Sequence, residues 1–207
     1  MNFRIAAARE MLTGLNIHSA LDVGCRDSAA RDILAADTEY FGCDLFQNPA
    51  GTVTYVGDIM SLTLDRHFDC VIALDVVEHV DDPHALMDRL VAITDKHLLV
   101  SLPNIFDLRH KLMFMFRNTL GGKYQFGVEN TLDRHRWVMN HDEILAFLSH
   151  FAEKHDMRLS TRNLRVGLDS GNVKWRLVLP LLRPLIDEKT LTSTVVALLS
   201  KQDIDAR

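Results

Sequence analysis

The string Asp75-x-x-Glu78-His79, with His135 further along, supplies two carboxylates and two imidazoles to a place where the chain can fold back on itself. An imidazole titrates near neutrality, so His79 and His135 are the natural proton acceptors for an attacking hydroxyl. The same oxygen and nitrogen donors suit Mg, Mn or Zn. Such an ion orients a hydroxyl and lowers its pKa, which makes Asp75, Glu78, His79 and His135 a candidate cation set. The structural alternative is that Glu78 and His79 cap backbone amides at a turn. A second group of acids, Asp22, Asp44 and Asp58, lies in or just after short β-rich runs at Ala20–Gly24, Tyr40–Asp44 and Val53–Val56. Carboxylates there can accept hydrogen bonds from a ligand's hydroxyl, amino or ammonium groups.

The elements that must carry these residues are legible in the apolar pattern. Phe68–Leu74 (FDCVIAL) and Leu98–Leu102 (LLVSL) are apolar nearly throughout, as strands are when both faces of a parallel sheet are covered. Residues 157–164 and Ser193–Ser200 read as two more strands. Residues 27–36 read as a helix with Ala30, Ile33 and Leu34 inward. Asp82-Pro83 starts another, with an N-cap acid before a proline at the first helical position. Asn140 with Glu143 marks a third through a capping-box spacing, backed by Ile144, Phe147, Leu148 and Phe151. Repeated β-then-α order argues a doubly wound α/β fold. We expect one domain over 1–207, with an insertion at about 105–135. In such sheets the ligand sits off the carboxyl ends of the strands, where Asp44, Asp58 and Asp75 fall.

Composition narrows the function classes. The 207 residues are 47% hydrophobic and 25% charged, with net charge −5; disordered, collagen-like and disulfide-dense chains are excluded. No apolar run reaches the length of a membrane span, and the amino terminus lacks the marks of a signal peptide. Cys25, Cys43 and Cys70 form no C-x-x-C pair and fit buried thiols of a reducing compartment, so a cytoplasmic location is expected. The acidic balance argues against a general grip on nucleic acid.

The first strand-to-helix turn reads Asp22-Val23-Gly24-Cys25-Arg26-Asp27-Ser28-Ala29. A dinucleotide fingerprint needs glycine where Arg26 stands, and Asp27 places negative charge where phosphates belong; a nicotinamide cofactor is disfavoured. A nucleoside without phosphates and with a cationic end suits the turn better. S-adenosylmethionine is such a ligand. Asp44, 20 residues beyond Gly24, can accept both ribose hydroxyls. Asp58 can accept from the adenine amino group, and Asp22 can pair with the ammonium.

Taken in order, Asp22-x-Gly24-Cys25, Asp44, Gly57-Asp58-Ile59 and Phe68-Asp69-Cys70-Val71 running to Glu78-His79-Val80-Asp81-Asp82-Pro83 resemble the class I S-adenosylmethionine-dependent methyltransferases. The likeness is closest to the branch holding the ubiquinone-biosynthesis O-methyltransferases and extends to Asp133-x-His135-x-Trp137. It implies a seven-stranded, mostly parallel Rossmann-like sheet in the order 3-2-1-4-5-7-6, with helices on both faces and strand seven antiparallel. It implies a cofactor site lined by Asp22, Gly24, Cys25, Asp44, Leu45, Asp58, Ile59 and Asp75, with Ile59 offering its N–H to adenine. The Asp75, Glu78, His79 and His135 set resembles the metal sites of the ubiquinone-pathway O-methyltransferases and of the small-RNA 2′-O-methyltransferases. Asp75 stands where those families carry glutamate. The expected activity is methylation, at oxygen, of a small-molecule, lipid-linked or sugar-linked acceptor. The rivals are a non-catalytic binding protein, suggested by Arg26, Asp27 and Ser28 in a loop the family fills with glycine, an RNA 2′-O-methyltransferase and a nicotinamide-dependent oxidoreductase.

Residues 108–123 (LRHKLMFMFRNTLGGK) hold five basic or imidazole side chains, no acid, and an apolar run from Leu112 to Phe116. They read as a substrate lid hinged at Gly121-Gly122. Together with Val173–Ile186, which is also basic and apolar, they would suit peripheral contact with an anionic membrane or a homodimer interface.

Overall fold

The computed structural model describes residues 3–126, 128–129, 133–165 and 186–202. Seven strands form one sheet: β1 (Ser19–Val23), β2 (Glu39–Asp44), β3 (Tyr55–Val56), β4 (Phe68–Leu74), β5 (Thr94–Pro103), β6 (Met157–Arg165) and β7 (Thr192–Lys201). Their order is β3-β2-β1-β4-β5-β7-β6. The pairs from β3 to β5 are parallel, and β7 runs antiparallel to both β5 and β6. This is the topology the resemblance implies.

Alternate residues of the central strands feed two cores. Val71 and Ala73 join Leu86, Leu90, Leu148 and Phe151 on one face, packing α2 (Pro83–Ala92) and α4 (His141–Lys154) onto the sheet. Cys70 and Ile72 join Ala7, Ala8 and Leu12 on the other, beneath α1 (Phe3–Leu12). A strand apolar on both faces is stable only when both are covered, and here both are. The helix starts follow their caps. Asp82 accepts from the Ala85 N–H at 2.9 Å. The Asn140 side chain accepts from the Glu143 N–H at 3.0 Å, while the Glu143 carboxylate accepts from the Asn140 N–H at 2.8 Å.

Three elements differ from the sequence reading. The helix expected over 27–36 is a single 3-10 stretch, Ala29–Ile33, because Ser28 is left-handed (φ 61°) and Leu34 is already extended. The third strand shrinks to Tyr55–Val56, since the Val53 N–H and carbonyl bond the Gln47 side chain. Helix α1 was not anticipated: FRIAAAREML has little amphipathic pattern, and Ala7 and Ala8 simply let it approach the sheet closely. Between β5 and α4 lie α3 (Leu108–Arg117), which buries none of its side chains, and a 3-10 turn, Gly122–Tyr124. A short helix α5 (Glu188–Leu191) leads into β7. Among the described residues no helix is long and apolar enough to cross a membrane. The segment Val173–Ile186 lies, except for Ile186, outside the described residues.

Candidate active site

Parallel pairing brings the ends of β1, β2 and β3 side by side, with Val23 opposite Cys43 and Asp44 opposite Val56. Asp22, Asp44 and Asp58 therefore fall at or just after neighbouring strand ends; burial first, and then the Cys25, Asp44, Asp58 and Asp22 charges, push the Cys43 thiol up to about 12. Asp22 is buried and accepts from the Tyr40 hydroxyl at 2.7 Å. Burial, with Asp44 and Asp27 nearby, lifts its carboxyl to about 7. Asp44 accepts from the Arg26 N–H at 2.9 Å, and Asp58 from the Met60 N–H at 3.0 Å; each keeps lone pairs for a ligand.

The turn after β1 is tight. Gly24 has φ 71°, and a Cβ there would lie 2.7 Å from Val76 Cγ2. Arg26 and Ser28 adopt φ 48° and 61°, a left-handed region that costs a residue with a Cβ roughly 1–2 kcal/mol. Cys25 is buried, and its sulfur faces Gly42. Leu45 is exposed and Ile59 buried; the Ile59 carbonyl accepts from Arg89 at 3.3 Å.

The loop after β4 holds the second cluster. Glu78, His79 and His135 each present one donor atom within 4.8 Å of the others. Glu78 is fully buried, and neither carboxylate oxygen makes a hydrogen bond of normal geometry. Burial pushes its carboxyl up to about 7, only partly offset by its own backbone N–H and by the Lys123 and Arg4 charges. Burial also drags His135 down to about 4, with His79 and Lys123 adding to the effect, and lowers His79. Both shifts favour the neutral imidazole, the form that donates a lone pair. His79 Nδ1 donates to the Arg134 carbonyl at 2.9 Å, which fixes the tautomer and leaves Nε2 open. His135 Nδ1 is buried without a partner.

Residues 133–137 form a strap across this loop. The Arg136 N–H donates to the Glu78 carbonyl at 2.8 Å and the Trp137 indole to the Val80 carbonyl at 2.9 Å, while Arg136 also pairs with Asp81. Beside the strap, Tyr124 packs edge-on to His135 with ring centroids 4.6 Å apart. Tyr124 also lines a cleft of about 490 Å³ with Phe114, Leu120 and Phe126. The turn after β1 and the cluster adjoin, since the Arg26 charge bears on both His79 and Asp133.

Asp75 behaves differently from its expected set. It has φ 56° at the end of β4, pairs with Arg4 of α1 and accepts from the Ser101 hydroxyl at 2.7 Å. Its carboxylate lies outside the converging group of Glu78, His79 and His135. Arg4 and Ser101 carried no signal in the sequence, because nothing local links position 4 or 101 to 75. Tyr124 carried no signal either, whereas Asp133 stood in the Asp133-x-His135-x-Trp137 string without a role attached to it.

The family model described as "Methyltransferase domain" matches residues 11–151. No curated relative matches the chain in sequence. Among solved structures the chain is similar to the methyltransferase domain of a bacterial Hen1, CtHen1-CN, at TM-score 0.63 and 15% identity, covering 96% of this chain and 98% of that one. It is similar to a SAM-dependent methyltransferase from Archaeoglobus fulgidus (TM-score 0.60, 17% identity, 96% and 92% covered). It is also similar to the magnesium protoporphyrin IX methyltransferase ChlM from Synechocystis PCC 6803 with bound SAH (TM-score 0.58, 14% identity, 94% and 81% covered). At such identities the likeness is one of fold.

Proposed function

Because the chain belongs to the methyltransferase-domain family, matched over residues 11–151, we propose that it moves a methyl group from S-adenosylmethionine to a hydroxyl of a small acceptor with an apolar or aromatic body. The carrying observation is the row Asp22, Asp44 and Asp58 at the exits of adjoining strands, next to the Glu78, His79 and His135 cluster. Asp44 takes the ribose hydroxyls and Asp58 the adenine amino group, with the Ile59 N–H on the same base and Leu45 against its face. Asp22 takes the ammonium, whose charge offsets the cost of ionising this buried acid. Gly24 lets the backbone approach. The SAH named with ChlM occupies that protein and supports the same donor here.

The reaction is an in-line displacement, so holding the acceptor oxygen against the methyl carbon does most of the work. The oxygen bonds to carbon, the carbon–sulfur bond breaks toward sulfur, and the hydroxyl proton passes to an imidazole lone pair of His79 or His135. The cleft beside Tyr124 would seat the acceptor's body and keep water out. Glu78, His79 and His135 also fit a divalent cation: the two orphaned Glu78 oxygens and the neutral imidazoles are what such an ion requires. Bound there, it would supply Lewis acidity that lowers the acceptor's pKa. The likeness to Hen1 brings an RNA hydroxyl into view, but a net charge of −5 opposes a polyanion. Three free, buried thiols support a cytoplasmic setting.

Calorimetric titration with S-adenosylhomocysteine tests the reading. Micromolar affinity, weakened at least tenfold by Asp44→Ala, is expected. Absence of heat together with absence of a thermal shift would overturn it. Chelation then separates the two roles of the imidazoles: methyl transfer that survives a chelator unchanged leaves them as bases alone.

A further inference from the structure

We infer that Asp133, on the strap of residues 133–137, takes the ligand position that the sequence pattern assigns to Asp75, and that Lys123 guards it. The inference rests on the cation reading of Glu78, His79 and His135 given above.

Asp133 Oδ1 lies 3.8 Å from His79 Nε2, the nitrogen left open because Nδ1 is spent on the Arg134 carbonyl. On the other side of the cluster, Glu78 Oε1 lies 3.8 Å from His135 Nε2. Two donors that share one ion at bonds of about 2.1 Å stand no more than roughly 4.2 Å apart. Both spans meet that bound; Asp133, held by Lys123, stands outside the 4.8 Å group of Glu78, His79 and His135 and would have to move inward to complete the set. Asp133 also arrives on a fixed segment, since the backbone bond from Arg136 to Glu78 and the indole bond from Trp137 to Val80 set the register of the strap.

Asp75 is committed elsewhere. Its carboxylate is held by Arg4 and by Ser101, on a left-handed backbone. Aspartate is one methylene shorter than glutamate, so leaving those partners would still give it less reach.

Lys123 Nζ sits 2.6 Å from Asp133 Oδ1, the same oxygen that faces His79. An ammonium and a metal ion cannot share that oxygen at such range. Lys123 is therefore a resident counter-cation that a divalent ion must displace, and its charge reaches Glu78, His79 and His135 as well.

The test is titration with Mn2+ followed by electron paramagnetic resonance, with circular dichroism confirming the fold of each variant. Asp133→Asn is expected to weaken Mn2+ binding at least tenfold and Asp75→Asn no more than threefold. Lys123→Gln is expected to tighten binding, a direction that loss of structure does not produce, and the tightening is expected to vanish when Asp133→Asn is also present. Wild-type protein that binds Mn2+ with Asp133→Asn unchanged, with the larger loss in Asp75→Asn, or with no tightening in Lys123→Gln, overturns this inference alone. Wild-type protein that binds no Mn2+ overturns the cation reading and this inference with it. Binding of S-adenosylhomocysteine is untouched by either result.

Discussion

His79 donates from Nδ1 to the carbonyl of Arg134 across 2.9 Å, so one side chain both anchors the strap and aims its other nitrogen into the cluster. Removing it should loosen the strap without disturbing the sheet or the acids Asp22, Asp44 and Asp58 at its strand ends. In His79→Ala we expect faster amide exchange over 133–137, unchanged protection in β4, and S-adenosylhomocysteine affinity within threefold of wild type. Hydrogen-exchange mass spectrometry and calorimetry give both readouts. Uniformly faster exchange through β4 would contradict a local role.

Asp22 ties stability to pH. Its folded pKa of about 7 stands above the ordinary 3.8, mainly through burial. The native state therefore binds more protons than the unfolded chain between those values, and this residue's contribution to stability falls as pH rises from about 4 to about 7. Asp22→Asn removes the ionisation and can still accept from Tyr40. We expect the variant to be more stable than wild type at pH 8, by a few kcal/mol at most, with the gap closing toward pH 4. It should lose affinity for S-adenosylhomocysteine at pH 8, where the wild-type carboxylate is ionised, and lose progressively less toward pH 4. Urea melts at several pH values check the first part.

Gly24 tests how closely the first turn must be built. Alanine there meets a left-handed backbone and Val76 Cγ2 at 2.7 Å, an expected cost of about 1–3 kcal/mol. Adding Val76→Ala should recover the share due to the clash and leave the backbone share. Chemical denaturation of the single and double variants measures the two terms. Full recovery in the double variant would show that the dihedral is not strained.

Arg26 makes the converse case. It holds φ 48° in a loop where glycine would be relaxed, and its backbone N–H donates to Asp44. Arg26→Gly trades the left-handed cost against greater freedom of the unfolded chain. Stability is expected to stay level or rise by up to about 1 kcal/mol, and S-adenosylhomocysteine to bind several-fold tighter. Weaker binding would mean that the guanidinium itself holds the ligand.

How much of this was legible depends on the range of each interaction. Phe68–Leu74 was readable because six of its seven residues are apolar, and α4 because Asn140 and Glu143 cap each other within one turn. The placement of Asp22, Asp44 and Asp58 at neighbouring strand ends was readable because the carboxyl ends of parallel strands lie on one side of the sheet. Helix α1 was not, since its stability comes from Ala7, Ala8 and Leu12 meeting residues far along the chain. The fate of Asp75 was not legible either: its spacing to Glu78 suggests a shared ion, while Arg4 and Ser101, 71 residues before and 26 after it, take the carboxylate instead.

A crystal structure of the protein with S-adenosylhomocysteine and Mn2+, with anomalous data collected near the manganese edge, tests the central claim most directly. The account predicts the ribose on Asp44, the adenine between Asp58 and Ile59, and an anomalous peak among Glu78, His79 and His135. A nucleoside seated away from Asp22, Asp44 and Asp58, or a cleft among them closed by the turn at Arg26, would contradict it.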